Sequence, residues 1–229
     1  MEKSGERSGE KAGDGAPSGD VKPRRRQARG ERRIAQLLQA AANVFCAHGY
    51  TATSTNAIAR EASVSPGTLY QYFPNKEAIA LELGDRLLAR MREAHGQAFT
   101  PENLALPLPE LIDAVLDPLI AFNCQNPVFL ALMHGSEIPG RIAEEHDALH
   151  ASLLARVGDL LAHYMPGSEA AERSRIADMT FAIVKAGLAL ILAAPEGPER
   201  DAVIAETKTV LLRYLDPVIG RALTTIPSR

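Results

Sequence analysis

The residues best suited to chemistry fall in two short runs, Thr53-Ser54-Thr55 and Ser65-Pro66-Gly67-Thr68, followed by Tyr70, Gln71, Tyr72 and Lys76. These are hydroxyls, phenols, one carboxamide and one amine, the groups that hydrogen-bond to phosphates and base edges. Any of Thr53, Ser54 or Thr55 can cap a helix running through Ile58, Ala59 and Ala62. Ser65-Pro66 is a cap followed by proline at the first helical position, a second start only a few residues on. Two short helices separated by such a tight turn make a helix-turn-helix over residues 54–73. The second helix enters a major groove in motifs of this kind.

Other constellations carry less. His146 and His150 have the i, i+4 spacing that can bind zinc, but the sequence offers no evident third ligand, so no metal site is assigned. Asp113 and Asp117 share a helical face, which occurs often on solvated surfaces. There is no Walker A loop, dinucleotide glycine fingerprint, nucleophile elbow or zinc-protease motif. Neither a cofactor nor an enzymatic activity is expected.

The motif needs a scaffold, and the hydrophobic pattern supplies one. Ile34, Leu37, Leu38, Ala41, Val44 and Phe45 form one stripe of period 3.6, and Gly49 is a natural stop for that helix. Ile58, Ala62, Val64, Leu69 and Phe73 would pack the motif on this stripe, with its polar positions left facing out. Pro74 ends the third helix, and Asn75 can cap a fourth running toward Met91. Further helices are expected at 108–124, 127–135, 139–164, 168–194 and 198–221, with Pro118 and Pro217 able to kink or shorten two of them. The fold class is all-α.

Charge is unevenly spread. The chain of 229 residues carries a net -3, yet Lys22 to Arg33 holds seven basic residues against Glu31 alone. A basic arm on an acidic body suits a protein that meets a polyanion at one end. Residues 1–30 have almost no large apolar groups and are expected to be disordered. Cys46 and Cys124 lie far apart, which points to a reducing compartment. With no signal peptide and no run of about 18 uncharged apolar residues, a cytoplasmic protein without a membrane span is expected.

The run from His48-Gly49-Tyr50 through Thr53-Ser54-Thr55, Ile58-Ala59, Val64 to Phe73 and Asn75-Lys76-Glu77 resembles the DNA-binding domain of TetR-type regulators. Ser63 departs from it, since the family often has glycine in this turn. The resemblance divides the chain into the arm 1–30, a DNA-binding domain 31–78 and a ligand-binding and dimerisation domain 79–229. It implies that Thr55 and the helix end it starts meet a phosphate. It also implies that Ser65, Pro66, Gly67 and Thr68 approach base edges and thymine methyls. Tyr70, Gln71 and Tyr72 would donate to phosphates, Gln71 could read adenine, and Tyr72 has core packing as an alternative. Lys76 would hold the DNA backbone, and Leu69 belongs to the core.

The resemblance further implies a homodimer on a palindromic double-stranded operator, paired through the last two helices. Met179, Phe181, Ala182, Val184, Leu188 and Ile191 make one of these apolar around much of its circumference, and Val203, Val210, Leu211, Tyr214, Leu215 and Val218 stripe the other. Leu88, Met91, Phe99, Leu119, Phe122, Phe129, Leu130 and Met133 could line an effector pocket, with Asn123, His134 or Glu137 as its polar groups. The function implied is a transcriptional repressor released by a small molecule. The alternatives are an activator or ligand-independent regulator and, in another class, a helical carrier or enzyme.

Overall fold

The computed structural model describes residues 21–133 and 140–224; among them lie ten α-helices and no strand. Helix α1 (Val21–Ala52) begins ten residues before the point where order was expected. The lack of large apolar groups between 21 and 30 denies this stretch a core but not a helix, because Arg, Lys, Gln and Ala are good helix formers. Near its other end α1 breaks at Gly49 (φ 75°, ψ 163°), a conformation that disfavours any side chain.

The motif follows as expected. Helix α2 (Thr55–Glu61) is capped by Ser54, whose Oγ accepts from Ala57 N at 3.1 Å. Helix α3 (Pro66–Tyr70) stops three residues short of Phe73. Gln71 closes it, and Phe73 N still bonds back to Leu69 O at 3.0 Å, so the chain leaves in a tight turn rather than a further helical turn.

Helix α4 (Lys76–Ala98) is capped by Asn75 and runs well beyond Met91. A one-turn helix, α5 (Pro101–Leu104), was not anticipated, although Thr100-Pro101 repeats the cap-then-proline signal of Ser65-Pro66. Helices α6 (Leu108–Gln125), α7 (Val128–Met133), α8 (Gly140–Tyr164), α9 (Ala170–Ala193) and α10 (Pro198–Thr224) follow the breakers in the sequence. Neither Pro118 nor Pro217 ends its helix.

Two hydrophobic clusters organise these elements. The first joins Leu37, Phe45, Ile58 and Leu69 of the motif domain to Ile79, Leu83 and Leu87 of α4 and to Val128, Phe129 and Leu132 of α7. Motif domain and body therefore share one core, with α7 packed on α1. The second cluster binds α6, α8, α9 and α10 through residues such as Ile112, Leu161, Ile176, Ile191 and Leu215.

Helices α9 and α10 approach so closely at Gly187 that a Cβ there would collide with the Thr207 side chain. Lys208 of α10 is held between two carboxylates of α6, at 2.8 Å from Asp113 and 2.5 Å from Asp117. Burial pulls this ammonium's pKa down, but the two hydrogen-bonded carboxylates outweigh it, and the net shift is upward. The shared face of Asp113 and Asp117 thus serves as an interhelical clamp.

Helix α9 is long and apolar enough to cross a membrane by length and composition, although Lys185 interrupts its apolar run. Only 28% of its most apolar window is buried. Met179, Ala182, Ala186, Leu190 and Ala193, spaced at three and four residues, form an exposed apolar face on this helix.

Candidate nucleic-acid interface and ligand cavity

Helix α3 has a buried back and an open front. Leu69 is completely buried and Phe73 nearly so, and both lie in the core shared with α1. Ser65, Pro66, Gly67, Tyr70, Gln71 and Tyr72 are exposed, and Thr68 is half-buried. Tyr72, for which core packing was an alternative, is 36% exposed and faces out.

The polar groups of this front hold one another. Ser65 Oγ accepts from Thr68 N at 3.1 Å and lies 2.9 Å from Thr68 Oγ1. Thr55 Oγ1 and the Tyr70 hydroxyl are 2.9 Å apart, which fixes the start of α2 to the end of α3. Thr55 and Tyr70 therefore form one hydroxyl pair rather than two independent donors. Gln71 makes no such contact and is the most versatile group on the surface, able to donate and accept together.

Lys76 is more constrained than the sequence suggested. Its ammonium donates to Tyr50 O at 2.8 Å and Thr51 O at 3.1 Å, and it sits 4.4 Å from the centre of the Tyr50 ring. It satisfies two carbonyls at the end of α1 and joins α4 to α1. An ammonium has three N–H donors, and the two carbonyls occupy two of them.

Ser63, where the resemblance leads one to expect glycine, has φ 53°. This left-handed conformation costs an L-residue roughly 1–2 kcal/mol. The turn keeps its geometry despite the substitution, with Val64 N bonded to Ala59 O at 2.9 Å.

Among the hollows of the body, two adjoin at His95. A cleft of about 560 Å³ is walled by Met91, Phe129, Met133, Leu119, Leu130 and Asn123, all of them expected there. A narrower inner chamber of about 100 Å³ lies between α6, α8, α9 and α10, and Phe99 lines it. Phe122 does not reach either hollow. It lies in the core behind the cleft, edge-on to Phe129 with ring centres 5.1 Å apart. Leu88 lines neither hollow and is likewise sealed in the core. His134 and Glu137 lie outside the described residues.

Sequence reasoning missed His95 and Thr180. His95 borders both hollows, and Thr180 lines the inner chamber. His95 continues the buried stripe of α4 four residues after Met91, and Thr180 continues that of α9 four residues after Ile176. A polar residue in phase with an apolar stripe is the signal that could have found them. Burial, aided by Arg156, lowers the His95 pKa to about 4, so its ring is neutral at pH 7.

His146 and His150 stand on the cleft wall against aromatic rings, His150 with its ring centre 4.3 Å from that of Phe181. No group of three residues able to hold a metal ion occurs among the described residues.

A helix-turn-helix with an open polar front, carried on a larger helical body, defines a DNA-binding transcriptional regulator. Two family descriptions match this chain: "Bacterial regulatory proteins, tetR family" over residues 37–83, and "Tetracyclin repressor-like, C-terminal domain" over residues 107–215. The HTH-type transcriptional regulator TcmR of Streptomyces glaucescens is 30% identical over 179 residues, covering 78% of this chain and 67% of TcmR. The chain belongs to the TetR family of transcriptional regulators. The HTH-type regulator YhgD of Bacillus subtilis is 34% identical over 107 residues, which span 47% of this chain and about half (54%) of YhgD. The fold is also that of a TetR-like regulator from Rhodococcus sp. RHA1, with TM-score 0.64 and 22% identity over 80% of this chain and 96% of that one.

Proposed function

We propose that this regulator is a repressor that grips a palindromic operator as a homodimer and lets go when a small molecule fills the cavity of its body. The supporting observation is the front of α3, where the small residues Ser65 to Thr68 lead to an exposed Gln71 while Leu69 and Phe73 anchor the back. The small residues let main chain approach the groove floor, and Gln71 has the donor and acceptor that match adenine in the major groove. Thr55, Tyr70, Tyr72 and the third N–H of Lys76 contact the phosphate backbone and set the register.

One such helix reads only a few base pairs, so the chain pairs with a second copy, placing two reading helices about one DNA turn apart. The exposed face of α9, with Met179 and Leu190 as its large side chains, supports that pairing together with α10. Release follows from the elements between the cavity and the motif. Helix α4 runs from the cavity to the capping Asn75, and α7 has Phe129 and Met133 on the cleft and lies against α1. An effector that favours another setting of α4 or α7 shifts the spacing of the paired reading heads. A cytoplasmic location suits this work.

The test is binding of the full chain to DNA from its own upstream region, against a shuffled fragment of equal length at one fixed salt concentration. The reading requires a preference of about a thousandfold or more. Gln71→Ala should weaken operator binding by about tenfold and narrow the gap to the shuffled fragment. Equal affinity of the parent for both fragments would overturn the assignment.

A further inference from the structure

Building on the cavity as an effector site, we propose that its ligand is an uncharged, mainly apolar molecule anchored through one hydroxyl or carbonyl group by His95 and Thr180. Among the described residues, the buried side-chain polar atoms without a partner are both ring nitrogens of His95, Oδ1 of Asn123 and Oγ1 of Thr180. All three residues line the two hollows. Asn123 is 1% exposed and Thr180 9%. Leaving one such group unpaired costs about 1–3 kcal/mol, and folded proteins tolerate few of them. Their concentration around two adjoining hollows points to a partner that enters there.

The anchoring groups select against charge. Thr180 and Asn123 are never ionised, and the neutral His95 ring offers one donor and one acceptor. The Asn123 amide already donates to Leu119 O at 2.8 Å, so its free Oδ1 calls for a donor. The wall around Thr180 is hydrocarbon, from residues such as Ile112, Val157 and Leu215. A carboxylate or ammonium group carried there would lose its hydration without gaining an opposite charge.

Among the described residues, no Asp, Glu, Lys or Arg lines the inner chamber where Thr180 stands; the charged groups stand along the cleft and outside it. Arg92 and Arg156 border a separate outer hollow beside His95. His146 and the exposed Asp147, His150 and Lys185 stand along the cleft. The inner chamber admits only a slender end, the one that carries the anchored oxygen, and the bulk of the ligand occupies the cleft.

Three ten-carbon probes test this on the full chain: 1-decanol, decanoate and decyltrimethylammonium, with affinities measured by calorimetry at pH 7. Decanol should bind at least tenfold tighter than either ion. Thr180→Val and His95→Leu should each weaken decanol binding about tenfold, the loss expected for one buried hydrogen bond. Both variants should also raise the melting temperature of the empty protein, because each removes an unpaired buried group without leaving a large void. Equal or tighter binding of an ion overturns the proposal, as does parental decanol affinity in both variants or failure of all three probes to bind. Operator binding measured on the same samples keeps the two readings apart. A protein that prefers the operator but ignores decanol refutes only this ligand class, whereas one that binds decanol without releasing DNA refutes only the release mechanism.

Discussion

Between Ser54 and Lys76 the polar side chains cap helices, pair with one another or face outward: Ser54, Ser65 and Asn75 close helix ends, Thr55 meets Tyr70, and Lys76 covers the end of α1. Between His95 and Thr180 the body does the reverse, turning His95, Asn123 and Thr180 inward without partners. The motif domain is complete before it meets DNA, because its surface must be preorganised to read. The body keeps polar groups inside that no other protein group meets, and these are available for a response.

Four substitutions or conditions probe this contrast, and the largest effect belongs to the complete half. Leu69→Ala should cost about 3 kcal/mol of stability, since a fully buried leucine would leave a cavity behind the reading helix. Urea denaturation measures it, and a loss below about 1 kcal/mol would mean that this half is less tightly finished than described.

The next effect belongs to the body. The folded pKa of His95 is about 4 against an ordinary 6.5, so protons favour the unfolded chain between these values. The stability tied to its neutral ring is fully present above about pH 6.5 and drains away as the pH falls toward 4. Relative to His95→Leu, the parent should lose about 2 to 3 kcal/mol across that window. Denaturation curves for the pair at several pH values measure the difference, and parallel curves would show that the ring is hydrated.

Gly187→Ala should cost about 2 kcal/mol by forcing α9 and α10 apart at Thr207. Thermal melting checks the loss, and unchanged melting would mean that the two helices part easily. The smallest effect brings the contrast back to the motif domain. Ser63→Gly should stabilise the chain by roughly 0.5 kcal/mol, as relief of the left-handed strain exceeds the added freedom of the unfolded chain. A loss of stability instead would show that the hydroxyl holds the turn by a contact of its own.

The two halves also differed in how readable they were. Caps, a proline start and one apolar stripe are local signals, so a cap among Thr53, Ser54 and Thr55, the Ser65-Pro66 start and buried Leu69 could be placed in the motif domain from sequence, and the structure selects Ser54. The helices of the body were equally legible, since prolines and glycines mark their ends. What the sequence hid was the facing of residues across helices. Phe122 and Phe129 are both aromatic and close in sequence, yet only Phe129 reaches the cleft. Lys76 likewise has a role set by Tyr50 and Thr51, more than twenty residues away. The 21–30 helix was missed for a different reason, because a lack of burial was taken for a lack of structure.

The shared core has a practical corollary for protein engineering. Since α7 packs against α1, a chimera that grafts residues 31–78 onto a relative's body would strip α1 of its native packing against α7. A transplant with a better prospect of folding would carry residues 128–133 along with the motif, making the natural unit of exchange discontinuous in sequence.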